Sequence, residues 1–277
     1  MTIRVLTAED TPALEDFLTQ RWAASMILRS NLRATPIGSD GPYAGKYAAR
    51  LDGTRMLSVA AYYPLYTNII LQAPEATAEV ARAATGQNKV LGILGPLDQV
   101  KTTMAAFGLT SARIVKSEVL YSLDIANMRM PPIRDLRCRL ATPADLEVIV
   151  PWRVAYNIES LRAADIAESR TAAQEEMARL VREGAVHILE NDGPVALALF
   201  ACRVPGAVPI GGVWTPPALR GRGYGRRVVA AALKAAQVAG VTRAVLFTDD
   251  SNLPARKAYE ALGFEIIGDY GVAFFEG

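Results

Sequence analysis

The chain is poor in the side chains that most often carry metal and nucleophilic chemistry. Among 277 residues there is a single histidine, His187, and only two cysteines, Cys138 and Cys202. A catalytic triad, a histidine relay or a multi-histidine zinc site would each have to pass through His187. That residue sits in A-V-H-I-L-E, which reads as an ordinary strand. The cysteine spacing is neither a metal knuckle nor a disulfide framework, so no metal is expected and a reducing compartment fits. Charge bias is also missing: the formal net charge is +2. Arginines alternate with apolar residues and form no dense basic run, which argues against a nucleic-acid partner. The opening M-T-I-R-V-L-T-A-E-D has early charges and no apolar core of signal-peptide length, and no window is apolar and long enough to span a bilayer. A cytoplasmic protein with no membrane partner is the expectation, and oligomeric state has no handle in the sequence.

What is present is an ordinary core-forming composition, 51% hydrophobic and 21% charged, over a length that favours two modest domains. An internal echo supports the division. Arg4-Val-Leu-Thr7-Ala-Glu-Asp10 returns as Arg139-Leu-Ala-Thr142-Pro-Ala-Asp145, each reading as a short strand running into a capped helix. M-R-M-P-P at 128 to 132 is a plausible joint, which gives domains at 1–130 and 131–277.

The first half predicts a strand at 3–6, helices within 11–33, a hairpin through Tyr47 to Tyr63 and a strand from Asn68 to Gln72. A helix from Glu75, a buried K-V-L-G-I-L-G strand, a helix from Leu97 and a long S-E-V-L-Y-S-L-D-I strand follow. The second half repeats the order, from a strand near 137–141 and helices between 143 and 183 to a hairpin around Asn191-Asp192-Gly193. After it come the strand I-G-G-V-W-T, a helix from Arg226, the strand R-A-V-L-F-T, a helix from Pro254 and a last strand G-V-A-F-F. Hairpins early and strand-helix alternation late imply a mixed α/β sheet in each half.

The chemistry-bearing segment is V-W-T-P-P-A-L-R-G-R-G-Y-G, Val213 to Gly225, between a β-branched strand and an alanine-rich amphipathic helix. Gly223 and Gly225 let backbone approach an anion, and the helix N-terminus beyond them favours negative charge. Arg222 and Arg226 are placed to pair with phosphates. A P-loop would need Gly-Lys-Ser/Thr here, and a dinucleotide fingerprint would need a third glycine where Arg226 stands. A glycine turn with no ligand is the bland alternative. Downstream, Asn252 can cap a helix carrying Pro254 in its first turn, Ala255 and Tyr259 share a face at i and i+4, and Gly263 suits a left-handed cap.

Arg220-x-x-Gly223-x-Gly225 resembles the coenzyme A-binding signature of the GNAT acyltransferase superfamily, and Asn252 to Phe264 resembles that family's later motif. The resemblance implies two tandem GNAT-like domains, with acetyl-coenzyme A as cosubstrate and a small-molecule or peptide amine as acceptor. It implies that Val213, Trp214 and Thr215 flank the pantetheine arm, and that amides of Arg220, Gly221, Arg222, Gly223, Tyr224 and Gly225 hold the pyrophosphate. Asn252 and Ala255 would complete the cofactor face. Tyr259 resembles the residue that protonates the leaving thiolate, and an amide near Thr215 would steady the oxyanion. No motif names the general base. Glu159, one helical step from Tyr156 in Trp152-Arg-Val-Ala-Tyr156-Asn-Ile-Glu159, is the candidate, and a solvated helix carboxylate is its alternative.

The first half has no such loop. At the corresponding place Glu75 and Glu79 occupy a helix start and would repel a pyrophosphate, so this half reads as a degenerate domain without coenzyme A. Arg29 and Arg33 are placed to face an acceptor cleft or to form surface ion pairs. Tandem domains with only the second intact resemble mycothiol-synthase-like enzymes. An active N-acetyltransferase leads, followed by a non-catalytic acyl-coenzyme A sensor and then by an interaction protein with an empty loop.

Overall fold

The computed structural model describes residues 1–133, 135–161, 164–202 and 204–276, so residues 162 and 163 of the helical stretch expected between 143 and 183 lie outside the description. The chain forms two compact units. The first comprises 1–121, 247–252 and 266–277, and the second 122–246 and 253–265.

In the first unit the chain runs β1 (Thr2–Val5), α1 (Thr11–Gln20), α2 (Met26–Ala34), β2 (Lys46–Asp52), β3 (Arg55–Tyr63), β4 (Asn68–Gln72), α3 (Thr77–Thr85), β5 (Gly92–Pro96), α4 (Leu97–Ala106) and β6 (Ala112–Asp124) as far as Tyr121. The period-2 alternation of the hairpin sets its two faces. Tyr47, Ala49, Val59, Ala61 and Tyr63 join Leu14, Leu18 and Leu28 of α1 and α2 in one core. Ala48, Ala60 and Tyr62 face Val80, Ala81 and Ala84 of α3 in the other.

The second unit holds β7 (Arg137–Leu140), α5 (Leu146–Leu161), α6 (Ala167–Arg182), β8 (Val186–Glu190), β9 (Pro194–Phe200), β10 (Ala207–Trp214), α7 (Tyr224–Val238), the start of β11 (Arg243–Asp249) and α8 (Leu253–Leu262). Its strands lie in the order β11-β10-β9-β8-β7. Ile149, Met177 and Leu180 from α5 and α6 pack on Ile188, Leu197, Leu199 and Trp214 of the sheet. On α7 the spacing of Val228, Val229, Ala232, Leu233 and Ala236 gives one buried stripe. His187 is a buried β8 residue whose ring lies 5.0 Å from Phe200.

The last strand, β12 (Glu265–Phe275), is longer than the G-V-A-F-F expected and departs from simple chain order. From Ile266 onward it belongs to the first unit, where it pairs antiparallel with β5 from Tyr270↔Pro96 to Phe274↔Gly92. The order there is β1-β2-β3-β4-β5-β12-β6. Compact units therefore do not follow a single cut at 130/131. A buried strand needs a partner on both edges, and local sequence does not say which chain segment supplies it.

The echo between the halves has a physical content. Arg4 donates to both carboxylate oxygens of Asp10, at 2.7 and 2.6 Å, while Asp10 accepts from the Thr7 amide at 2.8 Å. Arg139 donates to both oxygens of Asp145 at 2.8 Å, and Asp145 accepts from the Thr142 amide at 2.7 Å. In each copy the strand arginine, first among the causes, holds the helix-start aspartate well below the usual carboxylate range.

Candidate functional site

The segment Val213–Gly225 is built in three pieces. Strand β10 pairs with β11 only from Ala207↔Arg243 to Pro209↔Val245, so Ile210 to Trp214 have no parallel partner there among the described residues. On its other edge β10 pairs with β9, with a bulge at Gly211. Pro216 and Pro217 then end the strand and lead through a short 3-10 turn, Pro217–Leu219, to the loop.

The loop turns twice through left-handed backbone, at Gly221 (φ 77°) and at Gly223 (φ 73°), the residue that caps α7. This brings α7 to its start at Tyr224, two residues before the Arg226 expected. Amides of residues 221 to 226 meet no backbone acceptor among the described residues, while Arg227 is the first to bond back, to the Gly223 carbonyl at 3.2 Å. A run of free donors at a helix N-terminus is an anion cradle. At Gly225 a Cβ would meet only ordinary contacts, Thr215 Oγ1 at 3.6 Å and Val213 Cγ1 at 3.7 Å. The chain itself does not demand glycine there, although glycine in a helix costs about 1 kcal/mol. A close-approaching ligand is the remaining reason.

The arginines around the loop divide their work. Arg220 folds back over its own strand: Nε donates to the Thr215 carbonyl at 3.1 Å, Nη2 to Glu159 Oε2 at 2.9 Å, and the guanidinium lies 4.8 Å from the Trp214 ring centre. Glu159, the candidate base, is thus an exposed partner of Arg220. Arg222 is exposed at the loop, and Arg226 has a buried Nε with no hydrogen-bond partner among the described residues. Arg227, which the sequence reading passed over, braces the cradle by donating to the Arg222 carbonyl at 2.7 Å and the Pro132 carbonyl at 2.8 Å. The Tyr224 hydroxyl accepts from Asn191 at 3.1 Å, which ties the start of α7 to the β8–β9 turn.

Asn252 immediately precedes α8, in the group of residues that belongs to the first unit. Ala255 and Tyr259 lie one turn apart on α8, both half-buried. Gly263 ends that helix at φ 96°, and Phe264, whose ring is 5.9 Å from that of Tyr259, donates its amide to the Tyr259 carbonyl at 3.1 Å. Burial first, and the Tyr156 phenol second, hold the Tyr259 hydroxyl well above the ordinary phenol range, so it stays protonated at neutral pH.

A small cleft of about 10 Å³ lies between α5 and the β9–β10 pair, lined by Trp152, Arg153, Tyr156, Leu197, Gly212 and Val213 among others. Tyr156 packs edge-on to Trp214, centroids 6.4 Å apart. The sequence singles out Tyr156, and places the Gly211-Gly212 pair in a strand with no role of its own. Two glycines inside a strand were the available signal for the bulge. At Gly211 a Cβ would lie 2.5 Å from that of Ala201, so no side chain fits.

In the first unit Arg29 and Arg33 both pair with Glu15, at 2.9 and 2.7 Å. Glu75 approaches Arg50 at 3.9 Å, and Glu79 stands in the first turn of α3, where no glycine loop precedes it.

A parted parallel strand, a glycine loop and a donor-rich helix start define the class of acyl-coenzyme A-binding α/β folds. Residues 150–264 match the model of the Acetyltransferase (GNAT) family, and the chain carries a domain of that family in its C-terminal half. A search of curated protein sequences returns no match. The chain is similar in fold to a tandem GNAT protein from the clavulanic acid biosynthesis pathway, at 15% identity and TM-score 0.56, with 100% of this chain and 99% of that one covered. It is also similar to a GCN5-related N-acetyltransferase from Sphaerobacter thermophilus, at 15% identity, TM-score 0.60, and 98% and 94% coverage. A GNAT-family acetyltransferase from Colwellia psychrerythraea gives 13% identity, TM-score 0.55, and 100% coverage of both chains. At these identities the likeness is one of fold, and the fold is a tandem GNAT fold.

Proposed function

We propose that the protein is an N-acetyltransferase that transfers an acetyl group from acetyl-coenzyme A to a primary amine by direct attack, and that it works in the cytoplasm. The observation that carries this reading is the run of amides at residues 221 to 226 without a backbone acceptor among the described residues, at the N-terminus of α7 and after the part of β10 that does not pair with β11. Acetyl-coenzyme A would supply an acetyl group activated as a thioester. The amides of the loop, with Arg222 and Arg226, would bind its pyrophosphate, and Val213 to Thr215 would pair with the extended arm. Asn252 and Ala255 keep their assignment to the cofactor face.

The remaining steps fall to side chains of the second unit. The amine nitrogen forms the new bond to the thioester carbon while the carbon–sulfur bond breaks, and the Tyr259 hydroxyl gives its proton to the departing sulfur. Its raised pKa suits that role. The amine sheds its proton to a base, for which Glu159 is proposed, and that role requires the carboxylate to leave Arg220. In a Glu159→Gln protein the acid limb of the pH–rate profile should vanish. A profile that matches the parent's removes Glu159 as base.

The Arg220–Glu159 pair also favours a second reading, a sensor that binds an acyl-coenzyme A without processing an acceptor. Calorimetry with coenzyme A tests the cradle, and thioester consumption over a panel of primary amines tests transfer. Binding without consumption selects the sensor. The first half, 1–130, is proposed as a degenerate partner domain that holds no coenzyme A.

A further inference from the structure

The cleft beside β10 has one feature its apolar lining does not explain. Arg153, on α5, is only 11% exposed, and two of its nitrogens are spent on Glu176 in a side-on pair: Nε to Oε2 and Nη2 to Oε1, both at 2.8 Å. The guanidinium lies 5.0 Å from the Tyr156 ring centre. Its third nitrogen, Nη1, is buried and has no hydrogen-bond partner among the described residues. A buried donor left unmade is costly, and a guanidinium can only donate. Nη1 faces Gly212, where a Cβ would stand 3.2 Å away, so the absence of a side chain at this bulge keeps the space before Nη1 open.

We propose that Arg153 Nη1 is the anchor for a neutral carbonyl oxygen on the acceptor, which makes the acceptor an α-amino amide or a peptide N-terminus. The proposal rests on the acetyltransferase reading for the identity of the reaction. Three features select this chemistry. The charge of Arg153 is already matched by Glu176, so a second carboxylate would add an uncompensated negative charge next to Trp152, Leu197 and Leu199. The free group therefore calls for an acceptor oxygen without charge. The space before Nη1, at about 10 Å³, is far smaller than the roughly 300 to 1,000 Å³ that holds a drug-sized ligand, and takes a single oxygen atom, so only the carbonyl oxygen enters it. Tyr156 lines this cleft and also raises the pKa of Tyr259, which connects the anchor to the proposed proton donor.

The test compares leucinamide, leucine and 3-methylbutylamine, which share a side chain and differ at the carbonyl. Each is titrated calorimetrically into the coenzyme A-loaded protein and assayed with acetyl-coenzyme A. Leucinamide should bind, and turn over in kcat/KM, about tenfold to a hundredfold better than the other two, the span for one hydrogen bond to a charged donor, with the difference in KM. Arg153→Met should erase that preference. Because that variant also strips Glu176 of its partner, Gly212→Ala is the second probe: it places a methyl before Nη1 and leaves the ion pair alone, and it should erase the preference too. Equal efficiency for the three amines, or a preference for leucine, overturns the anchor while leaving the acetyltransferase reading intact. Arg153-dependent binding of leucinamide with no acetylation of any amine leaves the anchor standing and overturns the reaction. Absence of both binding and turnover overturns both.

Discussion

At the scale of single residues, chemistry follows from what each side chain is set against. Tyr259 is half-buried beside Phe264, and the burial that raises its pKa keeps the phenol protonated in the range where a thiolate leaves. Tyr259→Phe should lower kcat by roughly tenfold to a thousandfold, the range for losing a general acid, while coenzyme A binding measured by calorimetry stays close to the parent's. Unchanged turnover would exclude the residue from the mechanism. The direction of the shift has a further consequence: an acid whose pKa is raised stays protonated above the ordinary phenol value of about 10. The kcat–pH profile should show no alkaline fall assignable to this phenol below that value, and a fall that disappears in Tyr259→Phe would contradict the assignment. Arg220 makes the opposite point. The motif assigns a role to its backbone amide alone, and in the structure its side chain is spent on Thr215, Glu159 and the face of Trp214. Sequence spacing names a residue but not the competitors for its donors.

At the scale of elements, the cradle depends on two left-handed glycines and on the arginine behind them. At Gly223 a Cβ would meet both a strained φ of 73° and the Arg227 guanidinium at 2.9 Å. Left-handed backbone costs an ordinary residue about 1–2 kcal/mol. Gly223→Ala should therefore weaken coenzyme A binding by roughly five- to thirtyfold, with the fold retained by circular dichroism. Parent-like affinity would show that the loop does not hold the pyrophosphate. The start of α7 was legible only to within two residues, because the arginine run after Gly225 carries no cap signal and the cap is the backbone of Gly223 itself. The strand before it was legible as a strand. Its bulge at Gly211 and its parting from β11 after Pro209 were not, since both depend on what the neighbouring strands bring to those edges.

At the scale of the whole molecule, the C-terminal strand is the feature with the largest energetic consequence. Residues 266–277 belong to the first unit, and Tyr270, Ala273 and Phe275 of β12 are buried there. Burying Tyr270 and Phe275 contributes about 3–6 kcal/mol on the usual scale for large side chains, against roughly 5–15 kcal/mol for a whole domain. A chain ended after Glu265 should lose cooperative thermal unfolding and aggregate by light scattering, because the edges of β5 and β6 are left bare. A truncated chain that melts like the parent would refute this account. The sequence by itself determined the local elements, the repeated strand-to-capped-helix segment that opens each half and the glycine loop with its downstream motif. Each rests on contacts between residues close in the chain, or on backbone freedom that one residue type carries with it. Only the tertiary structure decided that β12 completes the first unit, that Glu159 meets Arg220, and that Arg153 turns an unpaired nitrogen toward Gly212. Those pairings join residues far apart in sequence, and a strand edge or a hydrogen-bond donor carries no label for the partner that will satisfy it.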